Sequence, residues 1–209
     1  MTSAAPTSPL ASQRRVRILQ AAQRVLARAG MRGLRMDDIA REAGLSKGAL
    51  YASFAGKDDL LVALAQWWSA NELGLLATLV AQRTHPVAPR LWRWFRHTLA
   101  ARADSWAARY ELYALASRPG PIRAVVQRHW LRVVALLAEL LAQTPPTAAP
   151  RPAPQARALA LTLFLEGWAF LRVAGLPATQ PEGFPQAWQV WHHLHPLDPI
   201  GPDSHPAGG

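Results

Sequence analysis

The chain has only two lysines, Lys47 and Lys57, and they bracket a stretch whose outward residues are small, polar or basic. Read as a helix, Leu50 and Phe54 stand four apart and point inward. Lys47, Gly48, Ala49, Tyr51, Ala52 and Ser53 are then left on the other side. This face holds no nucleophile beside a base and no metal-ligand spacing. It can donate hydrogen bonds: an ammonium to a base edge or phosphate, a phenol hydroxyl to a phosphate. At Gly48 it offers a backbone that a partner can approach closely. Those are the means of recognising a DNA groove, and no bulky apolar residue obstructs them.

The elements that must position this face are legible around it. Met36, Ile39, Ala40 and Ala43 recur at i, i+3, i+4 and i+7, one side of a helix. Ala40 and Ala43 are small enough for a second helix to cross closely. Gly44 supplies the positive φ that ends a helix, and Ser46 caps the next one behind an inward Leu45. Two short helices joined by a tight turn over residues 35–54 predict a helix-turn-helix, whose second helix enters the major groove. The competing reading is a helical hairpin with no DNA role. A preceding helix is expected from about Gln13 to Ala29, stopped by Gly30, with Ile18, Ala21 or Ala22, Val25, Leu26 and Ala29 inward. Arg14, Arg15 and Arg17 in its first turns oppose the helix dipole, so solvent or DNA phosphate is expected to compensate them.

Residues 13 to 62 resemble the DNA-binding domain of the tetracycline-repressor (TetR) family of bacterial transcription regulators. Gly30, Ile39, Ala40, Ala43, Gly44, Leu45, Ser46, Gly48, Leu50, Tyr51, Phe54, Lys57 and Leu60 carry the resemblance. It implies that Tyr51 and Lys57 touch phosphates and that Lys47, Gly48 and Ala49 face base edges. Three positions depart from the family pattern. Arg35 stands where Thr or Ser is usual; it cannot cap a helix but can reach a phosphate. Ser53 replaces His or Tyr, which makes that contact shorter or water-bridged. Gly56 replaces a Ser or Asn cap, a mild loss. The resemblance covers about a quarter of the chain. The expected DNA-binding residues are therefore Arg35, Lys47, Gly48, Ala49, Tyr51, Ser53 and Lys57.

The chain of 209 residues is half hydrophobic, enough for a sizeable core. It has no cysteine, hence no disulfide framework and no thiolate metal site. The first residues lack the pattern of a secretory signal, and the apolar stretch 158–165 is too short to span a membrane. A cytoplasmic location is expected, with no membrane partner and no cofactor. The formal charge of +10 suits nucleic acid. Residues 1–60 hold ten basic and five acidic residues, the remainder thirteen and eight, so the excess is denser at the front but not confined there. Arginine outnumbers lysine 21 to 2.

The pattern predicts an all-α chain of about nine helices: a three-helix DNA-binding domain at 13–60 and a helical regulatory and dimerisation domain at 61–196. Residues 1–12 and 197–209 are read as disordered. A long helix is expected from Lys57 to Gln82, striped by Leu60, Leu64, Trp67 or Trp68, Leu75 and Leu79. Others follow at about 87–103, 105–117, 122–142, 155–174 and 184–194. The helix at 155–174 is apolar on nearly every side, with Leu159, Leu161, Leu163, Phe164, Leu165, Trp168, Phe170 and Leu171. Such a helix needs cover all round. A second copy of the chain is the expected cover, the alternative being a central helix fully buried in a monomer. Together with 184–194 it resembles the pair of C-terminal helices through which the TetR family dimerises, which implies a homodimer that would read a near-palindromic operator.

Nine tryptophans describe either a small-molecule pocket or an ordinary core. Candidate ligand-binding residues are Trp94, His97, Trp106, Tyr110, His129 and Glu166, with Glu111 and Tyr113 as further polar groups. Glu166, within an apolar helix, could meet a cationic ligand or pair with an arginine. His192 and His195, three apart, are the only pair in the terminal histidine cluster that could share a metal ion. The expected function is a DNA-binding regulator, a repressor released from its operator by an unidentified small molecule. A DNA-binding dimer without a ligand is the alternative. An all-helical enzyme using a Trp-lined cavity lacks a nucleophile–base pair, a phosphate loop or zincin spacing.

Overall fold

The positive φ expected at Gly44 is present, at 64°, and it joins two helices of seven and five residues. In the computed structural model, which describes residues 9–83, 86–100, 103–143, 152–177 and 183–194, nine helices make up the fold. They are α1 (Pro9–Gly33), α2 (Met36–Glu42), α3 (Lys47–Tyr51), α4 (Lys57–Ala81), α5 (Val87–Ala100), α6 (Ala103–Ala116), α7 (Pro121–Ala142), α8 (Pro154–Val173) and α9 (Phe184–Leu194). No strand occurs among the described residues. None of these helices is long and apolar enough to cross a membrane.

Contacts divide the chain into two units, residues 1–69 with 104–126, and residues 70–103 with 127–209. The first unit therefore holds the helix-turn-helix together with α6 and the start of α7. Its core joins Ile18, Leu26, Ile39, Leu50, Phe54, Leu60 and Leu64 to Ala108, Leu112 and Val125. Each large side chain buried there contributes on the order of 1.5–3 kcal/mol. The helical stripes explain the set: α1 turns Ile18, Ala21, Ala22, Val25 and Leu26 inward, while Ala29 lies exposed.

Two expectations on these helices shift. Helix α1 starts at Pro9, inside the stretch read as disordered, while Gly30 interrupts it at φ 63° and ψ −180° as expected and a short further turn runs to Gly33. On α4 the stripe continues from Leu60, Leu64 and Trp68 to Leu76, which is fully buried, whereas Leu75 is half exposed. Steps of four from Leu60 lead to Leu76, and Leu75 falls off that line.

The second unit buries Leu76, Leu91, Phe95, Leu137, Leu140, Leu161, Leu165, Phe184 and Trp188. Phe184 is its aromatic centre. It stacks on Trp92 at 4.7 Å and packs against Phe95 at 4.8 Å and Trp168 at 5.0 Å. Among the described residues helix α8 is not enclosed on all sides. Ala158, Leu161, Thr162, Leu165 and Ala169 are buried, whereas Leu159, Leu163 and Phe170 are exposed.

Ion pairs fasten α1 to α2. Glu42 accepts from Arg24 Nε at 2.7 Å and sits 3.4 Å from Arg28 Nη2. The hydrogen bond from Arg24 holds the Glu42 carboxyl below the usual carboxylate range. A carboxyl lowered in this way stabilises the fold above its unfolded pKa and loses that contribution as pH falls through the lowered value. Glu42→Gln is expected to lower the melting temperature slightly at neutral pH. The difference should vanish in acid, below the ordinary carboxylate range. Thermal melts of both proteins across pH check it; a difference that persists in acid would show that the pair is not its source.

Candidate nucleic-acid interface

Helix α3 is too short to hold itself, so its neighbours fix it. The Ser46 hydroxyl accepts from the Ala49 N–H at 3.2 Å, capping its start as the sequence implies. Leu50 and Phe54 are buried beneath it. Two arginines of α1 take the carbonyl ends. Arg17 donates to the Ala43 carbonyl at 2.8 Å, at the end of α2. Arg15 donates to the Ser53 carbonyl at 2.9 Å, just beyond α3, and lies 4.2 Å from the Phe54 ring centroid. Cations at helix C-termini meet the negative end of the dipole. Arg15 and Arg17, expected to face solvent or phosphate, thus brace the helix-turn-helix from within.

The outer face of α3 is exposed at Lys47, Gly48, Tyr51 and Ala52. A Cβ added at Gly48 would meet nothing within 4 Å, so no packing among the described residues demands glycine there. Tyr51 is 45% exposed despite its ring. Ala49 is half-buried. Lys47 extends into solvent and forms an ion pair with Asp37 at 2.9 Å, both partners well exposed. The hydrogen bond to Asp37 raises the Lys47 ammonium above the usual lysine range. An exposed pair of this kind is weak and can be exchanged for another anion. Ser53 turns inward: its hydroxyl donates to the Ala49 carbonyl at 3.2 Å. Arg35 is exposed at the start of α2 and makes no capping bond.

The start of α4 is held by residues that the sequence reading passed over. Asp59 reaches back to accept from the Ala55 N–H at 3.0 Å, which offsets the missing cap at Gly56. Lys57 is half-buried and donates to the Met31 carbonyl at 2.9 Å. Beside it an open cleft of about 640 Å³ is lined by Met31, Lys57, Leu61, Val62, Leu115, Arg118 and Ile122, among others.

The six ligand candidates do not converge on that cleft. Trp106 and Tyr110 lie in the first unit; Trp106 faces the buried Arg109, and Tyr110 packs against Trp106 at 6.4 Å and Tyr113 at 5.7 Å. The Arg109 guanidinium sits 4.1 Å from the Trp106 ring, 4.5 Å from Trp68 and 5.5 Å from Tyr113, and its Nε donates to the Tyr113 hydroxyl at 2.7 Å. A side chain of the protein thus fills this aromatic cage. Trp94, His129 and Glu166 belong to the second unit. His129 is fully buried, with Nε2 4.0 Å from Glu72 Oε2, and Glu166 is half-buried on α8. The His97 side chain lies outside the described residues, as does His195, so the metal reading of the terminal histidines falls outside them too. Among the described residues no group of three His, Asp or Glu side chains could hold a metal ion. Arg109 had a sequence signal, since it stands at i+3 from Trp106 and i−4 from Tyr113.

Comparison with known proteins converges on the same region. Residues 18–64 match the family of bacterial regulatory proteins, tetR family. A member of the TetR family from Streptomyces coelicolor A3 is similar over 90% of this chain and 99% of its own, at 28% identity and a TM-score of 0.65. The multidrug binding protein EbrR, complexed with malachite green, is 27% identical, with a TM-score of 0.64 over 90% of this chain and 99% of that one. A transcriptional regulator from Rhodococcus sp. Rha1 shares the fold at a TM-score of 0.74 and 19% identity, over 86% of this chain and 94% of its own. No curated protein matches the chain.

The open space at Gly48 separates folding from recognition. Gly48→Ala is expected to leave the melting temperature unchanged or to raise it, by up to about 1 kcal/mol of helix propensity. A clear drop in a thermal melt would mean that the glycine serves the fold instead.

Proposed function

We propose that this chain, which by residues 18–64 belongs to the tetR family of bacterial regulatory proteins, works as a homodimeric, sequence-specific DNA-binding repressor released by a small molecule. One observation carries the DNA reading. A capped, braced helix presents Lys47, Gly48 and Tyr51 outward, and among the described residues nothing packs over Gly48. In this reading Lys47 exchanges Asp37 for a base edge, the backbone at Gly48 and Ala49 comes close to the groove, and Tyr51, Lys57 and Arg35 hold phosphates. The inward turn of the Ser53 hydroxyl leaves that residue a minor contact.

The dimer reading rests on α8 and α9. Leu159, Leu163 and Phe170 share one side of α8 and are 50%, 66% and 54% exposed; Val190 of α9 is 63% exposed. Apolar side chains in this concentration mark a surface meant to be covered. A second copy covers it with two-fold symmetry and sets two heads on a near-palindrome, with half-sites about 34 Å apart or a multiple of that. Domains at 13–60 and 61–196 then divide recognition from regulation, although the packing draws α6 into the unit of the head.

Selection of genomic fragments at about 150 mM salt, followed by footprinting, tests the reading. A protected near-palindrome is expected. Lys47→Ala should relax base preference by about 1–3 kcal/mol at one position, whereas Tyr51→Phe and Lys57→Ala should weaken all sequences alike. Leu163→Glu should give a folded monomer that protects no palindrome. Equal losses for Lys47→Ala on operator and random DNA would remove its assigned role, and binding without sequence preference would defeat the regulator reading.

For the ligand, the relative complexed with malachite green points to aromatic cations. The Trp-rich second unit, with Trp94, His129 and Glu166, supplies rings and a carboxylate of the kind that bind them. The close ring packing around Phe184 favours the second reading, a DNA-binding dimer that takes no ligand. Malachite green is expected to raise the melting temperature and to weaken operator binding. No thermal shift with this dye or related cations would favour the second reading.

A further inference from the structure

The kink at Gly30 is held from outside its own helix. At φ 63° and ψ −180° this residue interrupts α1, and the next residue, Met31, has both ends of its backbone bonded to distant side chains. Its N–H donates to Glu111 Oε2 at 3.2 Å, across 80 residues of sequence. Its carbonyl accepts from Lys57 Nζ at 2.9 Å, across 26. A Cβ at Gly30 would stand 3.1 Å from the other Glu111 oxygen, so glycine leaves the carboxylate its room. Glu111 is half-buried on α6, between Ala108 and Leu112, which are embedded in the core shared with α1 to α4.

We propose that Glu111 is a positioning residue for DNA binding: it fixes the Gly30–Met31 turn and, through the Met31 peptide, sets the ammonium of Lys57. The inference rests on the reading of Lys57 as a phosphate contact. A free lysine on its four-carbon stem loses rotamer freedom when it takes a phosphate. A lysine already held by a backbone carbonyl has less to lose, and two of its three N–H donors stay available. Met31 can serve as that anchor only while its own position is fixed. The carboxylate on α6 fixes it, on the element that leads through α7 into the second unit. A displacement of α6 would withdraw Glu111, loosen Met31 and release Lys57, which couples phosphate binding to the position of the α6–α7 hairpin.

The salt dependence of binding to a random-sequence duplex reads this without knowledge of the operator, since its slope counts phosphate contacts at about 0.9 per contact. Lys57→Ala is expected to reduce the slope by about one unit per protomer. Glu111→Ala should reduce it similarly and weaken binding several-fold. Glu111→Gln, which keeps an acceptor oxygen for the Met31 N–H, should retain the slope. Glu111→Asp keeps the charge but is one methylene too short, and should behave as the alanine variant does, which guards against simple misfolding of the latter. In a Lys57→Ala background, Glu111→Ala should add no further loss. A weakened Glu111→Ala protein with an unchanged slope, or additive losses in the double variant, would overturn the positioning role while leaving Lys57 on its phosphate. An unchanged slope for Lys57→Ala would overturn the phosphate reading itself, and this inference with it.

Discussion

A five-residue helix has no stability of its own, and the whole first unit follows from the need to hold one. Nucleating a helix costs more than a single turn returns, so α3 exists only because other groups fix its ends and its inner face. Ser46 takes the start, Leu50 and Phe54 take the inner face, and Arg15 bonds the Ser53 carbonyl just past its end. Arg17 does the same for α2 at Ala43, beside the left-handed Gly44. On the outer face the side chains of Gly48, Tyr51 and Ala52 are exposed, and those positions can vary at little cost to the fold.

That separation decides what could be read from the sequence. Gly44, Ser46 and the i, i+3, i+4, i+7 pattern of α2 are local signals: each acts within a turn or two of itself, and each appears where it was expected. The helix boundaries are local in the same sense, and α9 runs over the expected residues. Arg15 and Arg17 were misread because a cation near a helix N-terminus looks unsatisfied until its distant partner is known. Their partners lie 38 and 26 residues away. Glu111 meets Met31 across 80 residues, and no periodicity reports a contact of that kind. The stripe of α4 failed by one residue for a related reason, since Leu75 and Leu76 are equally apolar and only the line of fours from Leu60 distinguishes them.

Tryptophan was ambiguous from the start, and the structure divides it by unit. In the first unit Trp68 and Trp106 surround a guanidinium that the chain itself provides. Burying a charge demands partners, and the rings supply part of that compensation while Tyr113 accepts from Nε. In the second unit the rings face one another around Phe184, so their first role is to fill volume. Composition cannot separate these arrangements from a ligand pocket, because all three use the same side chains in the same numbers. The difference lies in whether a neighbouring residue fills the space between the rings, and that depends on tertiary packing.

The uneven burial of α8 bears on how such a chain can act as a switch. A helix enclosed on all sides within one subunit would make the second unit rigid and self-sufficient. Here one side of α8 is closed by the chain, and among the described residues the other carries Leu159, Leu163 and Phe170 outward. If a second copy supplies that cover, the two heads are tied to a common centre, and a change within either second unit alters their spacing rather than their shape. The heads themselves can stay intact, braced by Arg15 and Arg17. A graded change in spacing is enough to shift the population of DNA-fitting dimers, because both half-sites must be engaged together. Under the proposed positioning role of Glu111, the α6–α7 hairpin would supply a second route, since α6 shares the core of α1 to α4 and α7 continues into the other unit. One route acts through the distance between heads and the other through the phosphate grip of each head. They differ in what they require, since only the first depends on the dimer.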